Sequence, residues 1–214
     1  MSTPASATER LRTAITGGAF QPGERLIESE LMEQFGSPRR VIRDALAELD
    51  KEGLVARTAN RGASVRKISL DEAIEITQVR SLLEGLIASQ AATMATAAER
   101  DDLAAIVERM QVASRSNPLV DFPPLYREFH QRLRAIGRHG TAAELVDVLR
   151  NRNAQFQFRT ALMPGRVDQS LAEHEAIAAA IVAGDADGAR AAMQTHLEAV
   201  VDALRLWNQT DSVF

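Results

Sequence analysis

The sequence predicts a mainly α-helical protein, with three helices plus a short β-hairpin at the N-terminus and an all-helical antiparallel bundle after them. Two observations predict this fold class. Apolar residues recur at helical spacing along most of the 214 residues, whereas short strand-like runs occur only at residues 54–57 and 63–66. Gly, Pro, Asn and Ser residues punctuate the helical segments. We therefore expect two domains, at residues 1–67 and 71–208.

The composition is that of an ordinary globular protein, with 45% hydrophobic and 25% charged residues. The chain contains no cysteine, which excludes disulfide bonds and thiolate metal sites. Its first residues lack the apolar core of a signal peptide, and no apolar run approaches the roughly 20 residues of a membrane span. We expect a soluble cytoplasmic protein with no membrane partner.

The net charge of −4 is unevenly distributed along the chain. Residues 1–67 carry 11 basic and 9 acidic side chains, whereas residues 68–214 carry 14 and 20. The positive excess is sharpest over residues 37–67, where 8 basic side chains face 4 acidic ones. Such a local basic region is expected of a surface that binds phosphates.

The N-terminal elements are read from their apolar spacing and their turns. Ser37 suits the N-cap of the third helix, and Pro38 suits its first position, where a missing N–H has no cost. Arg61 and Gly62 lie at the tip of the predicted hairpin, from which an arginine can reach phosphates or the minor groove. The predicted helices cover residues 8–17, 28–35 and 38–52.

The third helix has an apolar and a basic face. Its apolar stripe, at i, i+3, i+4 and i+7, consists of Ile42, Ala45, Leu46 and Leu49. Arg39, Arg40 and Arg43 lie away from that stripe. On an isolated helix, such arginines are more often a solvated face. After a tight glycine turn and before a β-hairpin, they instead indicate a winged helix-turn-helix, whose second helix reads guanines in the major groove.

Residues 11–65 resemble the DNA-binding domain of GntR-family regulators. The matching frame is I..G...PG..L.E..L...FG..R..(I/V)R(D/E)AL..L..EGLV......G..V, and it is nearly continuous. Where the family usually has Ser-Arg-Thr-Pro-Val-Arg, this chain has Pro38-Arg39-Arg40-Val41-Ile42-Arg43. The resemblance implies that Arg39, Arg43 and Gly62 contact DNA. Because the motif's hydroxyl residues are replaced, we expect Arg40 to substitute for their phosphate contacts.

The C-terminal domain is predicted to be a bundle of six helices. Capping boxes at Ser69–Glu72 and Thr141–Glu144 open its first and fourth helices. Prolines at 118, 123 and 124 punctuate the connection before its third helix. The first predicted helix runs from the capping box at Ser69–Glu72 to about residue 97. The other five cover residues 98–114, 124–137, 141–159, 168–183 and 186–207.

Three histidines lie on or beside apolar faces of three different helices: His130, His174 and His196. A single histidine in such a position is usually a core residue with satisfied hydrogen bonds. Three of them in one bundle indicate a shared inward site, and imidazole is the commonest protein ligand for zinc and similar ions.

Residues 71–208 resemble the sensor domain called FCD, which occurs in the FadR-type branch of the GntR family. The matching segments are VRSLLEGLIASQAA, FHQRL and HEAIAAAIVAGDADGARAAMQTHL. The resemblance implies a divalent metal such as zinc, nickel or manganese, held by one Asp and by histidines that map onto His130, His174 and His196. Tyr126 occupies the Asp position, and a largely protonated phenol is a poor ligand. Two alternatives follow: three histidines hold the metal with water or an effector carboxylate, or the site is a metal-free polar pocket.

Arg80, Tyr126 and Asn153 are the candidate effector-binding residues. Arg80 lies in a segment where the family often has arginine, and its guanidinium suits a carboxylate. The alternative for Arg80 is a structural ion pair with Glu84, its i, i+4 neighbour. The resemblance implies a small organic acid as the effector.

We interpret the protein as a transcriptional regulator and not as an enzyme. Repressors are the commoner type in the family, and a homodimer would read an inverted-repeat operator in double-stranded DNA. The alternative is a metal-dependent enzyme that uses His130, His174 and His196 to activate water. The chain has no H-E-x-x-H motif, and the N-terminal domain would be unexplained. An architectural DNA-binding protein fits poorly with the acidic body.

Overall fold

The computed structural model describes residues 6–58, 62–154, 156 and 163–211, with side chains up to residue 207. The chain separates into two compact units. The N-terminal unit comprises Met1–Ser69 together with Arg150–Gln155, and the helical unit comprises Leu70–Leu149 and Phe156–Phe214. Among the described residues, no helix is long and apolar enough to cross a membrane.

The N-terminal unit contains three helices and a three-stranded antiparallel sheet of order β1-β3-β2. The two-residue strand β1 was not predicted, because two residues are too few to show an alternating pattern. It pairs with β3, placing Arg25 opposite Ser64, whereas β2 places Arg57 opposite Ala63. The elements are α1 Ala7–Thr16, β1 Arg25–Leu26, α2 Glu28–Phe35, α3 Arg39–Lys51, β2 Val55–Thr58 and β3 Gly62–Val65.

The helix pair α2 and α3 is joined by a short turn that begins at Gly36. Gly36 has a φ of 59° and ends α2, as a glycine in the left-handed region commonly does. The apolar stripe of α3 is buried, as its spacing predicted. The predicted N-cap is wrong by one residue: Pro38 is the extended cap, and the Ser37 hydroxyl donates to the Phe35 carbonyl instead.

The helical unit is an antiparallel bundle. Apolar residues from each of its described helices form one shared core. Helix α4 packs against α6, α8 and α9, and α5 packs against α6 and α8. The helices are α4 Leu70–Met94, α5 Ala97–Ser116, α6 Pro118–Gly137, α7 Gly140–Arg152, α8 Arg166–Ala183 and α9 Ala186–Asp211.

Helix α6 begins at Pro118, six residues before its predicted start. Pro123 and Pro124 lie inside it, although each lacks the N–H that would bond to a carbonyl four residues earlier. Those carbonyls belong to Leu119 and Val120, which are exposed, so water can satisfy them. Prolines in the first turns therefore did not end this helix.

Helix α7 differs from its prediction at both ends. It begins at Gly140, and the His139 imidazole accepts a hydrogen bond from the Ala142 N–H at its first turn. It ends at Arg152, and the remainder of the predicted helix includes residues 155 and 157–159, which lie outside the described residues. The predicted capping box at Thr141 and Glu144 does not open this helix, because Thr141 already lies inside it. The structure has a capping box at Thr96 and Glu99, ahead of α5.

Gly137 lets α6 approach α4 closely. A Cβ atom at this position would lie 2.7 Å from Ile87 Cγ2 and 2.8 Å from the Ile87 carbonyl oxygen. The backbone of α4 cannot move away cheaply, because Ile87 is fully buried in the core. The close contact holds α4 and α6 in one relative position.

We expect Gly137→Ala to destabilise the protein by about 1–3 kcal/mol through overpacking, lowering the main thermal transition by several degrees. Thermal unfolding followed by circular dichroism measures this change. Gly140→Ala is the matched control, since a Cβ atom there meets nothing within 4 Å. Equal melting temperatures for the two variants would show that the close approach is not a constraint.

Candidate functional site

Three buried imidazoles meet in the core of the helical unit. His130 lies on α6, His174 on α8 and His196 on α9, and one nitrogen atom of each lies within 4.8 Å of those of the other two. The Nε2 atoms of His130 and His174 are 3.2 Å apart. The structure thus brings together the three histidines that the apolar spacing directed inward.

The Nδ1 atom of each imidazole lies close to an oxygen atom of the protein. His174 Nδ1 lies 2.6 Å from the backbone carbonyl of Ser170, one turn earlier on α8. His196 Nδ1 lies 2.6 Å from Glu173 Oε2, and His130 Nδ1 lies 3.1 Å from Glu84 Oε2. Such contacts orient a ring so that its Nε2 atom points away from the Nδ1 partner and toward the centre of the cluster.

The two glutamates are themselves paired with buried arginines. Arg80 Nε donates to Glu84 Oε1 at 2.9 Å, and Arg166 Nη2 donates to Glu173 Oε2 at 3.0 Å. The site therefore contains two chains of the same kind, Arg80–Glu84–His130 and Arg166–Glu173–His196. The formal charges of the two ion pairs cancel, so these chains are neutral when their histidines are neutral.

Burial decides the protonation of His196. It lowers the pKa of His196 well below the ordinary value, and any positive charge on His130, together with that of Arg166, acts in the same direction. Burial also raises the pKa of Glu173, against the opposing effect of Arg166. For Arg80, burial acts to lower the pKa, but Glu84 and Tyr126 outweigh it and the pKa is raised.

Tyr126 packs directly against the three histidines. Its ring centroid lies 4.6 Å from that of His130, 5.2 Å from that of His174 and 6.1 Å from that of His196. The Arg80 guanidinium donates to Glu84, and it interacts with Tyr126 strongly enough that Tyr126 helps to raise the pKa of Arg80. Arg80 and Tyr126, two of the predicted effector-binding residues, therefore lie beside the imidazoles.

The three imidazoles fit a divalent cation. Because a carbonyl only accepts, His174 Nδ1 carries a proton and its Nε2 bears a lone pair. His130 Nε2 lies 3.2 Å from His174 Nε2, a distance at which the two nitrogens share either a proton or a cation. The Nε2 of His196 is buried without a hydrogen-bond partner among the described residues. A shared cation would satisfy all three nitrogens.

The sequence predicts Glu84 only as a possible ion-pair partner of Arg80, and the structure confirms that ion pair. The sequence analysis did not identify Ser170, Glu173 or Arg166. One feature of the sequence could have indicated the Arg166–Glu173 pair: the two residues are seven apart on one helix and therefore share a face.

Asn153, the third predicted effector-binding residue, is buried and belongs to the stretch Arg150–Gln155 that clusters with the N-terminal unit. Its role in binding an effector stays a prediction.

The arginines of α3 lie on the surface of the N-terminal unit. The side chains of Arg39, Arg40 and Arg43 are 64%, 92% and 60% exposed. Arg43 also lines a cleft of about 580 Å³ between α3 and the β-hairpin, together with Gly62. Gly62 has a φ of 84°, in the left-handed region, whereas the predicted contact Arg61 lies outside the described residues.

The same cleft contains two arginines that sequence reasoning did not select, Arg25 and Arg57. They come from β1 and β2, on either side of the central strand β3. A sheet that places basic side chains beside the basic face of α3 suits the phosphates of a DNA duplex.

Curated relatives match over most of the chain. The transcriptional repressor RspR of Escherichia coli K12 is 27% identical over 202 residues, covering 94% of this chain and 89% of its own length. The Uxu operon regulator of Haemophilus influenzae is 29% identical over 213 residues, covering 89% and 77%.

Solved structures show the same fold. McbR/YncC of E. coli superimposes with a TM-score of 0.81 at 21% identity, covering 94% of this chain and 95% of the other. A GntR protein from Rhodococcus sp. RHA1 superimposes with a TM-score of 0.75 at 22% identity, covering 92% and 94%.

Two family models together span nearly the whole chain. Residues 4–65 match bacterial regulatory proteins of the gntR family, and residues 75–199 match the FCD domain. The predicted resemblances are thereby confirmed. The chain belongs to the GntR family of bacterial transcriptional regulators and carries an FCD domain.

Proposed function

We propose that this regulator is a repressor whose affinity for its operator is controlled by a small organic acid bound beside the three histidines. The observation that carries the proposal is the convergence of three buried imidazoles next to Arg80 and Tyr126. The name of RspR, a transcriptional repressor, supports the sign of regulation. Binding would shift the population of conformations that bind DNA well.

His130, His174 and His196 would hold a divalent cation such as zinc, nickel or manganese. When bound, that ion would supply an anchoring point for a carboxylate group. No carboxylate oxygen joins the three-histidine group among the described residues, so coordination positions would remain for water or effector. Because both buried ion pairs are already neutral, a divalent cation would add two positive charges that an organic acid can balance.

The N-terminal unit would read DNA through Arg39 and Arg43, with Arg40, Arg61 and Gly62 as further contacts. One protomer presents one recognition helix, so we propose that a homodimer binds an inverted repeat. The metal-dependent enzyme gains no support from the site. Of the described carboxylates, Glu84 and Glu173 lie beside the imidazoles, and each already pairs with an arginine and a histidine.

The metal proposal is tested by elemental analysis of protein purified without chelator. We expect about one divalent ion per protomer in the wild type and little in His174→Ala, which removes one of three ligands. His139→Asn is the matched control, because His139 lies outside the cluster and an asparagine can still cap α7. A wild type that takes up no zinc or nickel from excess would instead identify a metal-free polar pocket.

Tyr126→Asp should raise the zinc affinity at least tenfold, because it places an anionic ligand beside three imidazoles. Competition against a chromophoric chelator measures the affinity, and Tyr126→Phe controls for loss of the phenol hydroxyl. If the Asp and Phe variants bound zinc equally, the carboxylate could not reach the ion, and the proposed position of Tyr126 in the site would be wrong.

Arg43→Ala should weaken binding to an operator selected from genomic DNA by roughly 5- to 150-fold, the cost of losing one guanine contact. Fluorescence anisotropy with a labelled duplex gives the Kd. Arg115→Ala removes the same charge from an exposed position on α5 and serves as the control. Identical weakening in the two variants would mean that only net charge, and not a contact of Arg43, determines affinity.

A further inference from the structure

Glu28, the first residue of α2, lies between the two predicted base-reading arginines of α3. Its Oε2 is 3.6 Å from Arg39 Nε, and its Oε1 is 3.7 Å from Arg43 Nε. One carboxylate therefore spans two guanidinium groups, using a different oxygen for each. The short turn at Gly36 fixes α2 beside α3, so this bridge is a property of the helix pair.

Both arginines face Glu28 through the same atom. In each ion pair the arginine nitrogen beside the carboxylate is Nε, so neither pair uses the two terminal amino groups. That pair of amino groups is the part of arginine that matches guanine O6 and N7. Holding a long side chain before DNA arrives also reduces the rotamer entropy that is lost on binding.

Arg40 differs from its two neighbours. Its Nε lies 3.8 Å from Asp44, one turn later on the same helix, and its side chain is almost wholly exposed. The three arginines therefore differ in the carboxylate with which each one pairs. Arg39 and Arg43 share the carboxylate of another helix, whereas Arg40 points away from that bridge and suits a phosphate.

Glu28 also changes the electrostatics of the cleft that it lines with Arg25, Arg43 and Arg57. A phosphate that approaches Arg39 or Arg43 also meets the negative charge of Glu28. A guanine edge carries acceptor atoms but no net charge, so it meets less repulsion. The carboxylate therefore disfavours contacts to the backbone, which all sequences share, more than contacts to bases, which distinguish them.

We propose that Glu28 is a specificity-determining residue of this regulator. It positions Arg39 and Arg43 for bases and limits their binding to phosphates. This inference rests on the proposed reading of DNA by α3.

The test compares Glu28→Gln with Glu30→Gln. Both variants remove one negative charge from the first turn of α2, but Glu30 is exposed and Glu28 is the one that bridges the arginines. Fluorescence anisotropy at several salt concentrations gives each Kd for a duplex selected from genomic DNA and for an unrelated duplex of equal length and composition. Circular dichroism checks that each variant is folded.

In Glu28→Gln, we expect the unrelated duplex to bind about three- to tenfold more tightly, with a steeper dependence on salt. The ratio of the two Kd values should fall at least threefold. Glu30→Gln should shift both Kd values together and keep the ratio. In an Arg39→Ala/Arg43→Ala background, Glu28→Gln should behave like Glu30→Gln, because its two partners are gone.

Two failures are distinguishable. A wild type with no preference for any selected duplex would overturn the proposed reading of DNA. A wild type that discriminates, with the same ratio in Glu28→Gln as in Glu30→Gln, would overturn only the role of Glu28.

Discussion

Two arginines and two glutamates inside the helical unit, of which only Glu173 is partly exposed, pair with each other, and the histidine cluster depends on those pairs. An isolated charge in such a core would be strongly destabilising. Arg80 and Arg166 offset that cost for Glu84 and Glu173. Glu173 can then hydrogen-bond His196 Nδ1, and Glu84 can lie beside His130 Nδ1. The directions of the rings, and hence the meeting of their Nε2 atoms, follow from charge pairing as much as from apolar packing.

The neutrality of these pairs bears on what the site can bind. Imidazole ligands carry no negative charge, so a cation held by these three histidines would add net positive charge, which an organic acid would compensate. Arg80 and Glu84 belong to α4, which begins at Leu70, directly after the residues of the N-terminal unit. Under the proposed function, the helix that contributes to the effector site is therefore covalently continuous with the DNA-binding unit.

The N-terminal unit also pairs a carboxylate with arginines, but this pairing lies at its surface and has a different consequence. In the core, carboxylates pair with arginines so that charges can be buried. At the surface, Glu28 leaves Arg39 and Arg43 exposed and restricts only their direction. Water screens this exposed bridge, so its contribution to stability is small, and its consequence is for the choice between bases and phosphates.

The sequence by itself determined the fold class, the stripe of α3 and the inward faces of three histidines, because helical periodicity is local and apolar residues must be buried. It also indicated the Arg80–Glu84 pair, whose partners are one turn apart. Only the tertiary structure decided that Glu173 holds His196 and that Glu28 spans two arginines, because these contacts join separate helices. Such contacts depend on the distances between packed helices, such as the close approach of α6 to α4 at Gly137, and on side-chain rotamers. The spacing of residues along one helix determines neither.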